Sequence, residues 1–245
     1  IPSVKTAIAE SLNCRFDMNY GPEHIFPISA AAAAIAHALR AVTVPGDEVL
    51  TFAPFFPEYH PYVDLTGAVL KVVPADTKSF QINFEAFEEM LGSRVAAVLV
   101  NTPNNPTGVI YSEETIQRMA AILNAKQQEF GTDIYLISDE PYRELAYDKT
   151  EVPYLTKYYD NTVVGYSFSK SLSLPGERIG YLVIPDEAAD SEMLIRAANV
   201  ATRILGFVNA PTLQQKLVKY CLEEKTDISY YDRNREVLYQ GLRNL

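Results

Sequence analysis

An acid, an amide, a phenol and an amine stand at the ends of apolar runs in this sequence, and these are side-chain types that proton transfer and covalent catalysis draw on. They occur in three polar segments. The first is Asn101-Thr102-Pro103-Asn104-Asn105-Pro106-Thr107-Gly108, the second Asp139-Glu140-Pro141-Tyr142, and the third Ser167-Phe168-Ser169-Lys170. Each follows a short β-rich run, so all three are expected in loops at the carboxyl ends of strands, where open α/β sheets place their ligands. Each segment also has a plainer explanation. Pro and Asn form turns without any function, Asp139 could cap a helix, and Lys170 could be an exposed lysine. What favours a site is the convergence of all four types on one rim of a sheet.

The elements that must position these groups follow from apolar periodicity. Strands are expected at 25–29, 48–52, 69–73, 95–101, 134–139, 162–168 and 179–184, with helices at 30–41, 58–66, 84–91 and 113–127 between them. The first helix starts directly after Ser29, and Ser112 is placed as an N-cap. After Pro185 the pattern changes to long helical stretches at about 187–205, 210–223 and 228–245, so the sheet is complete by then. Strands alternating with helices predict an α/β fold, a three-layer α/β/α sandwich on a mostly parallel seven-stranded sheet. No repeat, no low-complexity tract beyond Ala30–Ala34 and no Gly/Ser linker interrupts it, so 1–245 is expected to be one domain.

Composition narrows the partners. The 31 acidic and 21 basic residues leave a formal net charge of −10, which argues against nucleic acid, since a duplex-facing surface needs clustered Lys and Arg. No apolar run approaches the length of a membrane span. Cys14 and Cys221 belong to no C-x-x-C pair, and His24, His37 and His60 share no metal-ligand spacing, so a cytoplasmic protein without a bound metal is expected. There is no signal peptide to read at Ile1, and the last helix is still amphipathic at Leu245, which suggests an excerpt of a longer protein.

The stretch Ser167-Phe168-Ser169-Lys170-Ser171-Leu172-Ser173-Leu174-Pro175-Gly176-Glu177-Arg178-Ile179-Gly180 resembles the lysine attachment segment of the class I/II aminotransferases, pyridoxal-phosphate enzymes of fold type I. Asn105-Pro106-Thr107-Gly108 and Asp139-x-x-Tyr142 resemble further motifs of that family, in the family's order. The resemblance spans essentially the whole chain but covers only the large, cofactor-binding domain. A smaller domain, made by the two ends of longer family members and carrying the arginine that grips the substrate carboxylate, is expected outside these residues.

The resemblance implies roles residue by residue. Lys170 forms the Schiff base with pyridoxal 5'-phosphate and then shuttles the proton. Asp139 keeps the pyridine nitrogen protonated, which makes the ring an electron sink. Asn105 and Tyr142 hydrogen-bond the ring 3'-oxygen, and Phe56, in Pro54-Phe55-Phe56-Pro57-Glu58-Tyr59, stacks on the ring. Ala31 and Ala32 offer backbone N–H groups to the phosphate at the start of their helix, with Ser167 and Arg178 adding a hydroxyl and a guanidinium. The five alanines after Ser29 depart from the family, which has Gly and often Ser or Thr there. Helix hydroxyl contacts to the phosphate are therefore lost, and phosphate binding is expected to be weaker.

The implied activity is amino transfer between an L-amino acid and a 2-oxo acid in a homodimer. Three other readings compete. Tyr166-x-x-x-Lys170 satisfies the catalytic pair of short-chain dehydrogenases, but that pair needs a helix and Tyr166 lies in a β-rich run. Fold-type-I relatives also include carbon–sulfur β-lyases and cyclopropane-forming synthases. Aminotransferase-like domains serve as non-catalytic effector modules in some regulators as well. Arg203 is read as a surface arginine.

Overall fold

The computed structural model describes residues 1–206 and 208–244; Leu245, where the last helix is expected to end, lies outside the described residues. Its strands are β1 (Ile25–Ile28), β2 (Glu48–Phe52), β3 (Val69–Val73), β4 (Val95–Asn101), β5 (Tyr135–Asp139), β6 (Thr162–Ser167) and β7 (Gly180–Val183). They form one sheet in the order β1-β7-β6-β5-β4-β2-β3. Only β7 runs against its neighbours, and the remaining pairs are parallel. This is the mostly parallel seven-stranded sheet expected from the sequence.

Side-chain alternation produces the layers. Along β4, Ala97 and Leu99 enter one core while Val98 and Val100 enter the other. Val49 and Leu50 of β2, and Ile137 and Leu136 of β5, divide in the same way. Both faces are thus apolar, so both must be covered, as parallel sheets require. Helices α2 (Ala30–Val42), α3 (Tyr59–Asp64) and α7 (Ser191–Ile204) cover one face; α4 (Phe84–Met90) and α5 (Glu113–Phe130) cover the other. Ser112 caps α5 as expected, its Oγ accepting from the Thr115 N–H at 3.1 Å.

Several elements depart from expectation. Helix α1 (Pro2–Phe16) was not anticipated, although Pro2 in the first turn and Val4, Ile8 and Leu12, four residues apart on one buried stripe, are its signature. It packs on the β6–β7 end of the sheet, beside α8 (Thr212–Cys221). Phe168 leaves β6 and opens a single helical turn, α6 (Phe168–Ser171), in place of the expected loop. Helix α7 begins at Ser191 rather than 187 because Asp190 sits in the left-handed region at φ 52°, which an α-helix cannot include. Helix α3 is shorter than expected, since the N–H groups of Thr66 and Gly67 turn back onto Val63 and Asp64. The last helix among the described residues is α9 (Ile228–Arg243).

Two glycines let α2 approach the sheet. A Cβ on Gly165 would come within 2.9 Å of the Ala34 Cβ. A Cβ on Gly180 would overlap the Tyr166 carbonyl oxygen and lie 3.0 Å from Ala30 Cα. The Ala30–Ala34 run is the complement of these glycines, because Ala30, Ala33 and Ala34 are buried against the strands. Gly180→Ala is accordingly expected to destabilise the protein by about 1–3 kcal/mol, as overpacking does. A thermal melt unchanged from the parent would show that α2 has room to move.

Candidate active site

β4, β5 and β6 are neighbours, and their carboxyl ends set the spacing of the site. Asn101 lies opposite Asp139 in the β4–β5 register, and Asp139 lies opposite Gly165 of β6. The start of α2 reaches the same rim, since Ala30 Cα and Ser167 Cα both lie about 3 Å from the position of a Gly180 Cβ. A cavity of about 400 Å³ opens between these elements. Lys170, Asp139, Tyr142, Asn105, Phe56, Ala31, Ala32, Ser167 and Arg178 all line it. The three separate segments named from sequence therefore meet in one place.

Asp139 is buried at the floor of this cavity and caps no helix. Its Oδ2 accepts a 2.7 Å hydrogen bond from the Tyr59 hydroxyl, while Oδ1 has no hydrogen-bond partner among the described residues. Burial raises its carboxyl to a pKa of about 6, and the Tyr59 bond opposes that rise. At pH 7 the group is therefore mainly ionised, with one oxygen unsatisfied. A buried anion in that condition calls for a donor from a ligand.

The asparagine loop is a turn and a scaffold at once. Asn101 donates through Nδ2 to the Asp139 carbonyl (2.8 Å) and accepts through Oδ1 from the Asn105 N–H (2.7 Å). It thereby ties Asn105 to the strand that carries Asp139. Both Asn105 and Tyr142 line the cavity, where burial and the Asp139 charge raise the Tyr142 phenol and the neighbouring Asn105 amide opposes that rise. Lys170 Nζ lies 5.7 Å from the Tyr142 ring centre. Phe56 meets the Tyr59 ring edge-on, with centroids 5.9 Å apart.

At the other end, Ser29 makes no side-chain cap, so the first-turn N–H groups of α2 are left for another acceptor. Ser167 Oγ caps α6 by accepting from the Ser169 N–H at 3.1 Å, and its proton goes to Ser169 Oγ at 2.7 Å. Within this pair the Ser169 hydroxyl keeps its proton for another acceptor, and both serines line the cavity. Arg178 is exposed, in the left-handed region at φ 49°, and donates to the Pro175 carbonyl.

The loop bearing Tyr142 is anchored from below. Glu140 and Arg143 form a buried ion pair, and Ser138 Oγ donates to Glu140 Oε1 at 2.7 Å. The Arg143 guanidinium lies between the rings of Phe16, Tyr154 and Tyr166, 4.8, 5.0 and 5.2 Å from their centres.

The family model for "Aminotransferase class I and II" matches residues 1–245. The chain belongs to that family. Among curated relatives, it is 33% identical over 199 residues to a probable N-acetyl-LL-diaminopimelate aminotransferase of Bacillus subtilis, covering 81% of this chain and 49% of the relative. It is 34% identical over 200 residues to an aspartate aminotransferase of Thermotoga maritima, covering 80% of this chain and 52% of the relative. The chain therefore spans about half the length of these curated relatives. A crystal structure of an amino transferase from Eubacterium rectale superposes with a TM-score of 0.97 at 47% identity, covering all of this chain and 62% of that one. Aspartate aminotransferase from Thermus thermophilus, solved with maleate, gives 0.88 at 26% identity, covering all of this chain and 63% of that one.

In this aminotransferase-family chain the rival Tyr166-x-x-x-Lys170 pairing fails on geometry. Tyr166 is in β6 and faces away from the cavity. Its hydroxyl donates to Glu144 Oε2 at 2.7 Å and lies 2.8 Å from Ser171 Oγ. The cavity rim also holds residues not anticipated from sequence, namely Tyr59, Tyr62, Asn101 and Ser169. Asn101, Ser169 and Tyr59 lie inside segments already singled out. Tyr59 follows Phe56 by three residues, but nothing local pairs it with an aspartate 80 residues on. Of the histidines, His24 and His37 are buried and His60 is exposed, and Arg203 is exposed as expected.

Proposed function

We propose that this chain is the cofactor-binding domain of a pyridoxal-5'-phosphate-dependent aminotransferase that moves an amino group between an L-amino acid and a 2-oxo acid. The observation that carries the reading is Asp139 Oδ1, a buried carboxylate oxygen without a hydrogen-bond partner among the described residues, in the same cavity as Lys170. The donor set fits the cofactor at both ends. Asp139 would accept from the pyridine N–H, Asn105 and Tyr142 would donate to the ring 3'-oxygen, and Phe56 would cover the ring. Backbone N–H groups of Ala31 and Ala32, the Ser167–Ser169 hydroxyls and Arg178 would hold the phosphate. When bound, the ring supplies the sink for charge left on the substrate α-carbon.

The chain's own residues do the rest. Lys170, half-buried above the Tyr142 ring, carries the proton to and from the substrate α-carbon. Asp139 would hold the pyridine proton, and the Asn101 links keep Asn105 and Asp139 at a constant separation. Loss of hydroxyls along Ala30–Ala34 leaves phosphate binding to backbone donors and the Ser167–Ser169 pair.

The relatives' greater length supports a second, smaller domain outside residues 1–245 that completes the substrate site. Family membership supports a homodimer. A reducing cytoplasm suits the unpaired Cys14 and Cys221. Among the described residues no helix is long and apolar enough to cross a membrane. The test is a panel of amino donors with 2-oxoglutarate and pyridoxal phosphate on the full-length protein. Glutamate formation is expected with at least one donor. Ammonia release without glutamate would replace amino transfer by an elimination, and no turnover with any donor would sink the reading.

A further inference from the structure

We propose that Tyr59 is a positioning residue for Asp139: its hydroxyl engages Oδ2, leaves Oδ1 as the one oxygen free to accept from a ligand, and favours the charged carboxylate. The geometry is independent of any bound group. Tyr59 opens α3 and is buried, with Phe56 edge-on at 5.9 Å and Phe55 stacked at 6.2 Å, so its ring cannot swing away from the carboxylate. The 2.7 Å bond it donates to Oδ2 fixes which oxygen is used, and among the described residues no side chain partners Oδ1. Burial and the facing aspartate hold the Tyr59 phenol well above its ordinary range, so it remains a donor wherever the protein is folded.

Other charged or titratable groups face Asp139 from the elements around it. They are Tyr62 on α3, Tyr142 after β5, Lys170 on α6 and Arg178 beyond it. Of these, none hydrogen-bonds the carboxylate. The consequence for cofactor binding rests on the proposed function, whereas the Tyr59–Asp139 link does not.

The test uses the full chain, free of cofactor, with ¹³C-labelled aspartate carboxyls and the Asp139 signal assigned by Asp139→Asn. Tyr59→Phe keeps the ring and removes the donor. Its Asp139 titration is expected to move up by about one to two pH units, the effect of losing a hydrogen bond to a charged group. Difluorotyrosine at position 59, a stronger donor of nearly the same shape, is expected to move it down. A packing role alone would give no pair of opposite shifts. If Tyr59→Phe fails to fold, the fluorinated protein decides, and an unmoved Asp139 titration there overturns the proposal. In the second arm, pyridoxal phosphate binding to Tyr59→Phe is expected to weaken about two- to tenfold at pH 7, with the gap closing as pH rises. Equal affinity at every pH also overturns it. A parent protein that does not bind pyridoxal phosphate would refute the proposed cofactor and leave the carboxyl titration to judge Tyr59.

Discussion

Lys170→Ala is expected to abolish covalent capture of pyridoxal phosphate and to lower amino transfer by at least about 10²–10⁴-fold, the range that a positioned proton-transfer group supplies. Lys170 is the lysine on the cavity wall, held there by the α6 turn that Ser167 caps. Its neighbour Ser171 is braced on both sides, by the Tyr166 hydroxyl at its Oγ and by Thr226 Oγ1 donating to its carbonyl at 2.9 Å. A side chain so placed acts at one location, and alanine leaves no amine there. The measurement is borohydride reduction of the cofactor-loaded full-length protein, followed by peptide mapping. The parent should carry a pyridoxyl group on the Lys170 peptide and the variant none. A label on a different lysine, or turnover retained in the variant, would remove Lys170 from the chemistry.

Asp139→Asn is expected to slow removal of the substrate α-proton by roughly 10²–10³-fold, the scale seen when one preorganised electrostatic partner is lost. Asparagine has the same shape and can still bond Tyr59, so the change isolates charge. A neutral amide cannot hold the pyridine nitrogen protonated, and the sink is weakened without disturbing the fold. Stability moves in the opposite sense. Burial lifts the Asp139 carboxyl to about 6, above its unfolded value of about 4. Its protonated form therefore contributes stability fully below about pH 4, and that contribution is lost as pH rises through about 6. The cofactor-free parent should weaken across that window, whereas the asparagine variant should lack this slope and melt no earlier at pH 7. Single-turnover proton removal and thermal melts at pH 4 and pH 7 check both halves. A variant that turned over normally and merely melted early would make Asp139 a structural residue.

Much of this architecture was legible in the linear sequence because its signals are local. Alternating β-rich runs and amphipathic segments reproduce the seven strands to within a residue or so at either end, and Ser112 caps α5 where placed. The three polar segments fall at carboxyl ends of strands, so the site's main groups could be named before their arrangement was known. The net charge of −10 and the paucity of clustered cations were likewise readable at once. Local signals also misled or were overlooked. Helix α1 is written in Val4, Ile8 and Leu12, and the lysine segment reads as a loop until Ser167 is seen to cap it.

What the tertiary structure alone decided are the contacts between residues distant in sequence. The order β6-β5-β4 puts Asn101 beside Asp139, and the packing of α3 on the core brings Tyr59 to the same carboxylate from 80 residues away. The Ser167–Ser169 bond decides which of the two hydroxyls keeps a proton to donate, and Gly165 and Gly180 matter only because α2 crosses them closely. Periodicity and turn chemistry act within a few residues, so they specify elements. Which oxygen of Asp139 is engaged and which is free depends on how those elements are stacked, and on the burial that makes an unpartnered oxygen costly.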